Sequence, residues 1–459
     1  MTLPFKSWRT HLTQTLSLSV PLVGIQLAQA AIGITDTLMV GRLGAAELAA
    51  LALATTFFFT LFIVGLGLTQ AVLPLAAEAR GAEDPIMLRR AIRMGFWVAG
   101  GYTIIAIAIL FNTEAILRFA GQSPETIHFA SRYIAIAKWA LLPMLLFMNL
   151  RAFYTVLDCA NIMFAINIVG VLANILLNYM FIFGNWGAPE LGVEGAAVAT
   201  LGTATVTLAG MVLLSLRDKR MKDYDIYGRF WRVDLEILRQ IIRLGIPIGM
   251  TLLAEIGLFA VATILIGRIG TLELAAHGII LQLATLSFMV PLGFSNVATT
   301  RVALAYGRRN REDLRRAAYI TVFLAVGFMS TAALIFLTIP EVLISLFLDA
   351  SGEDTAAVIA LAVPYLFFAA LFQLADGTQV VAAGALRGMQ DTRVPMIIAI
   401  FSYWIAGLGT GYVLAFPLGL EGIGIWIGLA LGLTLAAVLL LARFIMRDRL
   451  DIGLVKFQA

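Results

Sequence analysis

Three carboxylates stand within apolar segments that are long enough to cross a lipid bilayer: Asp36, Glu255 and Asp376. A charged group inside a membrane span is costly, so such residues are functional candidates by default. A buried carboxylate can bind a proton, and two carboxylates together provide hard oxygen ligands for a cation. The alternative is a carboxylate close to a span end that reaches headgroups or an arginine, and this applies most to Asp36, which precedes Gly41-Arg42.

Two of these acids share a helix face with a phenylalanine. Phe259 follows Glu255 by one turn, and Phe372 precedes Asp376 by one turn. An acid beside an aromatic ring suits an organic cation, through its charge and through cation–π attraction. We therefore assign both phenylalanines to substrate binding, and the two acids to ion coupling and to a candidate Na⁺ site. The alternative is that the rings only pack against lipid or other helices.

A second polar group belongs to the first half of the chain. Gln29 precedes Asp36 by two helical turns and so shares its face, while Asn174 and Asn178 are one turn apart in another apolar segment. With Asp36, the two asparagines can form a proton relay or an ion site, and Gln29 is assigned to substrate binding. Amides in membrane spans also join neighbouring helices, and that alternative stays open.

The elements that position these residues are membrane-spanning helices. Hydrophobic residues make up 61% of the 459-residue chain and charged residues 13%, and the mean hydropathy is +0.93. Soluble domains have roughly 45–50% and 25%, respectively. Because strand-like alternation is absent and lipid tolerates only helices or closed barrels, we predict an all-α integral membrane protein. Twelve spans are predicted, near 14–39, 46–77, 92–112, 132–150, 162–183, 194–216, 240–266, 273–304, 317–339, 356–386, 394–416 and 421–443.

The chain also repeats itself. Residues 21–91 align without a gap on residues 247–317, with 22 identities in 71 positions. We therefore predict two six-helix lobes, 1–216 and 240–459, joined by a basic amphipathic cytoplasmic connector at 217–239. An even number of spans in each half places the pseudo-twofold axis along the membrane normal, as in transporters built from parallel repeats. The acids do not repeat, since Asp36 aligns with Ala262 and Glu255 with Gln29.

The basic residues predict the orientation. If both termini are cytoplasmic, all but five of the 32 lysines and arginines lie inside, the exceptions being Arg42, Arg118, Arg132, Lys138 and Arg268. This is the positive-inside distribution. The high isoelectric point then reflects membrane topology, and we expect no nucleic-acid partner.

Several functional classes lack their motifs. The single cysteine excludes an internal disulfide and a cysteine-based metal site. Neither a Gly-x-Ser-x-Gly elbow nor a P-loop is present, so we predict that the protein is not an enzyme, needs no cofactor and is not driven directly by ATP. The driving force would be an ion gradient or the gradient of the solute itself.

Several segments together resemble one family. They are the stretch from Gly33 to Gly41, Glu255, Asp376 with Leu386-Arg387-Gly388, the stretch from Asp391 to Pro395, and the stretch from Gly192 to Thr200. The chain is similar over its whole length to the multidrug and toxic compound extrusion (MATE) family, in particular to its bacterial NorM-type branch.

This resemblance implies a monomeric, multi-pass protein of the bacterial cytoplasmic (inner) membrane that exports cationic or amphipathic drugs in exchange for Na⁺ or H⁺. By position, Glu255 and Asp376 match the cation site of the second half, and Asp36, Asn174 and Asn178 match that of the first. Phe259 and Phe372 match aromatic neighbours of the second site. Two departures from the NorM-type pattern concern Na⁺ coordination: Phe372 where tyrosine is frequent, and Gly278 where an amide is common.

We therefore predict a secondary active multidrug antiporter that works by alternating access. The main alternative is a lipid-linked oligosaccharide flippase of the same superfamily, which would need a basic central cavity for a diphosphate. An ion channel and a membrane enzyme are further alternatives, but the sequence has neither a pore-filter motif nor catalytic residues.

Overall fold

The computed structural model describes residues 8–348 and 354–450, and every regular element in those ranges is a helix. Twelve helices are long and apolar enough to cross a membrane, so the predicted fold class and number of spans are confirmed. In chain order they are α1 Trp8–Val40, α2 Glu47–Gly81, α3 Pro85–Leu110, α4 Pro124–Val156, α5 Ala160–Phe183, α6 Val193–Arg217, α7 Leu235–Gly267, α8 Thr271–Gly307, α9 Arg311–Thr338, α10 Thr355–Gly388, α11 Arg393–Ala415 and α12 Glu421–Asp448.

Three of the spans are interrupted within their length. In α2, the helix Ala45–Gln70 is followed after one residue by Val72–Gly81. A 3₁₀ turn at Lys138–Ala140 interrupts α4, and α11 contains a nine-residue π-helix at Phe401–Gly409. A π-helix is rare and often occurs at functional sites, because the wider turn changes which side chains face a neighbour.

Contacts divide the described residues into two compact units. The first unit is Gly24–Gly249, and the second comprises the described parts of Met1–Val23 and Met250–Ala459. The beginning of α1, up to Val23, therefore belongs to the unit that contains most of the predicted lobe 240–459. The beginning of α7, up to Gly249, belongs to the unit that contains most of the predicted lobe 1–216. Each of these 33-residue helices contains a proline, Pro21 or Pro247, close to the residue where its grouping changes. Proline removes a helical hydrogen bond and bends the axis, so one helix can pack on different neighbours before and after it.

Glycines allow close helix packing, most clearly between α11 and α12. A Cβ atom on Gly428 would lie 2.4 Å from the Cα of Gly411, and one on Gly432 would lie 2.8 Å from the Cα of Gly407. Only glycine permits backbones to approach this closely. The contact fixes the π-helical part of α11 against α12.

The connector between α6 and α7 is mostly irregular, with a short helix at Lys219–Lys222. It packs on α3: the indole Nε1 of Trp97 donates a 2.9 Å hydrogen bond to the carbonyl oxygen of Phe230, and the two rings stack with centroids 5.6 Å apart. Tyr227 stacks on Phe96 at 6.0 Å. The connector is therefore attached to the first unit by aromatic contacts.

Candidate functional site

The first unit holds a carboxylate between two amides. The Nδ2 atoms of Asn174 and Asn178 both donate hydrogen bonds to Oδ1 of Asp36, at 3.0 and 2.6 Å. Both asparagines are completely buried. Because they are one turn apart on α5, their side chains reach the same point on α1. The structure thus brings together three residues that the sequence assigned to ion coupling.

This cluster can exchange a proton or accept a hard cation. Burial opposes the charge of Asp36, while the two N–H donors favour it, so the opposing effects allow the carboxylate to bind and release a proton. The Oδ1 atoms of Asn174 and Asn178 are buried and have no hydrogen-bond partner in the described structure. A half-turn of each amide would present these oxygens together with the carboxylate, which is the ligand type of alkali and alkaline-earth cations.

One neighbour of Asp36 is not predicted from the sequence. Tyr133, which is 3% exposed, lies within electrostatic range of Asp36 and beside Thr200. Nothing in the sequence distinguishes Tyr133 from the other tyrosines of the spans. Gln29, in contrast, is half-buried and lies seven residues before Asp36. That spacing is about 10 Å along the helix, and the substrate-binding role of Gln29 stays a prediction.

The second unit contains the pair of acids predicted from the sequence. Glu255 on α7 lies within electrostatic range of Asp376 on α10. Asp376 is 4% exposed, and Glu255 is half-buried. The Nε2 atom of Gln379 donates a long hydrogen bond of 3.4 Å to Oδ1 of Asp376, and the hydroxyl of Tyr403 donates one of 2.8 Å to Oε1 of Gln379.

A cation accompanies the pair. Arg387 lies within electrostatic range of Glu255. It follows Asp376 on α10 by eleven residues, which is three turns and therefore the same face. No chemical role of Arg387 is predicted from the sequence, although its spacing from Asp376 indicates that both side chains lie on one face of α10. Its positive charge offsets one of the two carboxylate charges.

The two phenylalanines lie in contact with each other. The rings of Phe259 and Phe372 are 6.5 Å apart in an edge-to-face arrangement, and Trp426 meets Phe372 at 5.9 Å. Phe372 is only 2% exposed, whereas Phe259 is half-buried. Phe372 is therefore held by packing in this conformation, and Phe259 is the more accessible aromatic surface.

The π-helical part of α11 links the two acid-bearing helices. Its Tyr403 reaches Gln379 on α10, and the indole Nε1 of the next residue, Trp404, donates a 3.1 Å hydrogen bond to the carbonyl oxygen of Ala254 on α7. Ala254 directly precedes Glu255. Nothing in the sequence indicates this π-helix, so neither contact is predicted from it.

A metal site built only from acids, histidines or cysteines is not seen: no three such side chains cluster in residues 8–348 and 354–450. A Na⁺ ion at Glu255 and Asp376 would therefore need amide, hydroxyl or backbone oxygens as further ligands.

Twelve long apolar helices, with a carboxylate within a span of each unit, define a polytopic α-helical membrane protein. The MatE family model matches residues 21–180 and 247–413, one stretch in each half of the chain. The chain belongs to this family, and the resemblance inferred from its motifs is confirmed.

Relatives of known sequence match nearly the whole chain. A "Probable multidrug resistance protein NorM" of Rhizobium meliloti is 47% identical over 438 residues, which are 95% of this chain and 94% of that protein. A protein of the same name from Agrobacterium fabrum is 44% identical over 440 residues, covering 96% and 95%.

Solved structures show the same fold. A MATE protein in a bent conformation superposes with a TM-score of 0.86 at 20% identity, over 98% of this chain and 97% of that one. An outward-facing multidrug resistance MATE family transporter gives a TM-score of 0.86 at 21% identity, with coverage of 98% and 97%.

Proposed function

We propose that this protein is a secondary active antiporter that exports cationic or amphipathic organic compounds in exchange for an ion. The observation that carries the proposal is the second-unit site, where Glu255 and Asp376 lie within electrostatic range of each other and Phe259 meets Phe372. Acids beside aromatic rings bind organic cations, and the same acids bind the coupling ion. The names of the sequence relatives, which are multidrug resistance proteins, support the same substrate class.

Competition for the acids would enforce exchange. An ion that enters from outside binds the carboxylates and releases the compound, and a compound from the cytoplasm later displaces the ion. Because the acid pair would serve both ligands, transport of one requires departure of the other. The cluster around Asp36 would be a second ion-coupling site.

We infer H⁺ rather than Na⁺ as the coupling ion from the amides around Asp36, because Arg387 does not distinguish the two ions. Its positive charge opposes the binding of a proton and of a metal cation alike at Glu255. In the first unit, the amides of Asn174 and Asn178 direct their N–H groups at Asp36, which suits a carboxylate that is protonated and deprotonated more than one that shares a cation.

With this function we propose a monomer in the bacterial inner membrane, with both termini in the cytoplasm. It would need no cofactor besides the coupling ion. The asymmetric placement of lysine and arginine supports the orientation. The lipid-linked oligosaccharide flippase is not favoured, because the carboxylates of both units would repel a diphosphate.

The test is efflux of a fluorescent organic cation from proteoliposomes with pH and Na⁺ gradients imposed separately. We expect efflux with an inward proton gradient and its loss in the double variant Glu255→Gln/Asp376→Asn. The exposed Glu125→Gln, outside the site, serves as the control. Unchanged efflux and ion dependence in the double variant would overturn the proposal, and efflux that follows only the Na⁺ gradient would replace H⁺ by Na⁺.

A further inference from the structure

A second cavity, unrelated to the carboxylate sites, lies in the first unit between the beginning of α3 and the connector. Its volume is about 490 Å³, and we call it the arginine pocket. Its ten lining residues include five arginines and one acid. The charged lining residues are Arg89, Arg90 and Arg93 on α3, and Arg229, Arg232 and Asp234 on the connector.

The arginines exceed the acids available to pair with them. Arg90 forms an ion pair with Asp234, its Nε lying 2.5 Å from Oδ2. The Nε atoms of Arg89 and Arg93 are buried without a hydrogen-bond partner in the described structure, and Arg93 as a whole is 6% exposed. Asp225 attracts Arg93 electrostatically but makes no hydrogen bond to that Nε atom. Buried donors without partners are costly, so the pocket is incomplete without an anion.

The internal repeat shows that this surplus is specific to the first half. In the second half, Arg315 and Arg316 both pair with Glu312 of their own helix, at 3.3 and 2.9 Å. The residue aligned with Glu312 is Ile86, which lines the arginine pocket. The first half thus keeps the arginine pair of the repeat and replaces its acid with an apolar residue.

The rim of the pocket is apolar and open. The lining residues Ile86 and Leu235 are 59% and 73% exposed, and Trp231, which precedes the lining residue Arg232 in the chain, is 76% exposed. Ile86 lies in the first turn of α3, and Leu235 is the first residue of α7, so the pocket is at the ends of two spans. Lipid headgroups and tryptophan side chains occupy this depth of a bilayer. The ligand that fits carries a phosphate-like anion on an apolar tail.

We propose that the arginine pocket binds the phosphate of an anionic membrane phospholipid, with the acyl chains against Ile86 and Leu235. The guanidinium groups of α3 and those of the connector then share one phosphate, as planar guanidinium donors commonly do. The bound lipid stabilises the connector on α3. This inference does not depend on the transported substrate or on the coupling ion.

The test uses the purified full-length protein in non-ionic micelles and measures thermal unfolding by tryptophan fluorescence. Dioleoyl phosphatidylglycerol is titrated against dioleoyl phosphatidylcholine, and inorganic phosphate and glycerol 3-phosphate are the soluble probes. Arg229→Gln/Arg232→Gln removes two charges at exposed positions of the pocket. Arg217→Gln/Arg239→Gln removes two exposed charges that do not line it and is the matched control.

We expect phosphatidylglycerol alone to raise the unfolding temperature of the wild type. A charge-assisted hydrogen bond from a guanidinium group to a bound phosphate contributes about a 10-fold gain in affinity, so the pocket double variant should need about 100-fold more phosphatidylglycerol for half of the effect. The control double variant should respond as the wild type does. Equal losses in both double variants, an equal response to phosphatidylcholine, or the same response to the soluble phosphates would overturn the proposal.

A second variant tests the pocket without removing an arginine. Ile86→Glu restores the acid that the repeat has at Glu312, at an exposed position in the first turn of α3 where a negative charge is favourable. We expect this variant to be as stable as the wild type in phosphatidylcholine and to lose the response to phosphatidylglycerol. Ile86→Gln, which removes only the apolar contact with the acyl chains, should keep most of the response. A full response in Ile86→Glu would contradict the inference even if the arginine variants failed to fold.

Discussion

The hydroxyl of Tyr403 donates a 2.8 Å hydrogen bond to Oε1 of Gln379, and both side chains are almost completely buried. This bond fixes the orientation of the Gln379 amide, because its oxygen is occupied and its NH₂ group must face the other way. That NH₂ group faces Asp376. A tyrosine of the π-helix thus determines that a donor, and not an acceptor, meets the buried acid.

Tyr403→Phe should therefore change the pH dependence of transport. Without the hydroxyl, the Gln379 amide can turn and accept from a protonated Asp376, which favours the protonated acid. We expect the midpoint of the pH–efflux profile to move to higher pH. The measurement is initial efflux rate against pH in proteoliposomes.

The control for Tyr403→Phe is Tyr154→Phe in the first unit. Tyr154 is also fully buried, and its hydroxyl donates a 2.6 Å hydrogen bond to the carbonyl oxygen of Met211. Each variant should lose about 0.5–1.5 kcal/mol of stability, because each removes one buried hydrogen bond. A pH profile that moves equally in both variants would show that the shift reports stability and not the orientation of Gln379.

Asn178→Leu should make the ionisation of Asp36 less favourable. The 2.6 Å bond from Asn178 is the shorter of the two that Asp36 accepts from the asparagines. A hydrogen bond to a charged group is worth about 1.5 kcal/mol, which corresponds to about one pH unit. We expect the midpoint of efflux to rise by about that amount.

Asn167→Leu is the matched control for this change. Asn167 is a buried asparagine of the same helix, but its Nδ2 donates to the carbonyl oxygen of Met163 in its own helix. Its replacement should lower stability without moving the pH profile. If Asn167→Leu moved the profile as far as Asn178→Leu, a specific role of Asn178 at Asp36 would be excluded.

The membrane spans of this protein and the acidic residues inside them can be predicted from the sequence. Hydropathy gave twelve spans because lipid demands long apolar helices, and the cost of burying charge singled out Asp36, Glu255 and Asp376. Tyr403 could not be found in this way. A tyrosine in a span is ordinary, and its role depends on the π-helix, which packs on α12 and has no signature in the local sequence.

The grouping of residues into the two units is a second feature that the sequence does not predict. The repeat suggested a division between spans, yet packing assigns the beginnings of α1 and α7 to units different from the rest of each helix. Periodicity shows which faces of a helix are apolar, but the neighbours that cover those faces are decided by tertiary packing.

Cys159 should react slowly with thiol reagents in the folded protein. Its side chain is 3% exposed, and burial raises the pKa of the thiol. A higher pKa means less thiolate, which is the reactive form, at pH 7. We expect slow labelling by a fluorescent maleimide in micelles and complete labelling after denaturation.

The comparison for this prediction is Gln122→Cys, which adds a thiol at an exposed position in a loop. In that variant, one thiol should react quickly and one slowly. Two equally fast thiols in the folded variant would contradict the burial of Cys159.

Arg387→Gln should change the ion response of the second-unit acids. The arginine is a nearby positive charge for Glu255, and Asp376 lies within electrostatic range of the same carboxylate. Without Arg387, two buried negative charges repel each other with less compensation, so one of them should hold a proton to higher pH. The same loss of positive charge removes the repulsion that a metal cation meets at the pair.

We therefore expect two linked effects of Arg387→Gln: a pH–efflux midpoint at higher pH, and inhibition or stimulation by Na⁺ that the wild type does not show at the same concentration. Arg393→Gln is the control, because Arg393 is an exposed arginine at the beginning of α11. A change of the same size in Arg393→Gln would indicate an effect of surface charge alone. If Arg387→Gln altered neither the pH profile nor the Na⁺ response, Arg387 would not act on the acids.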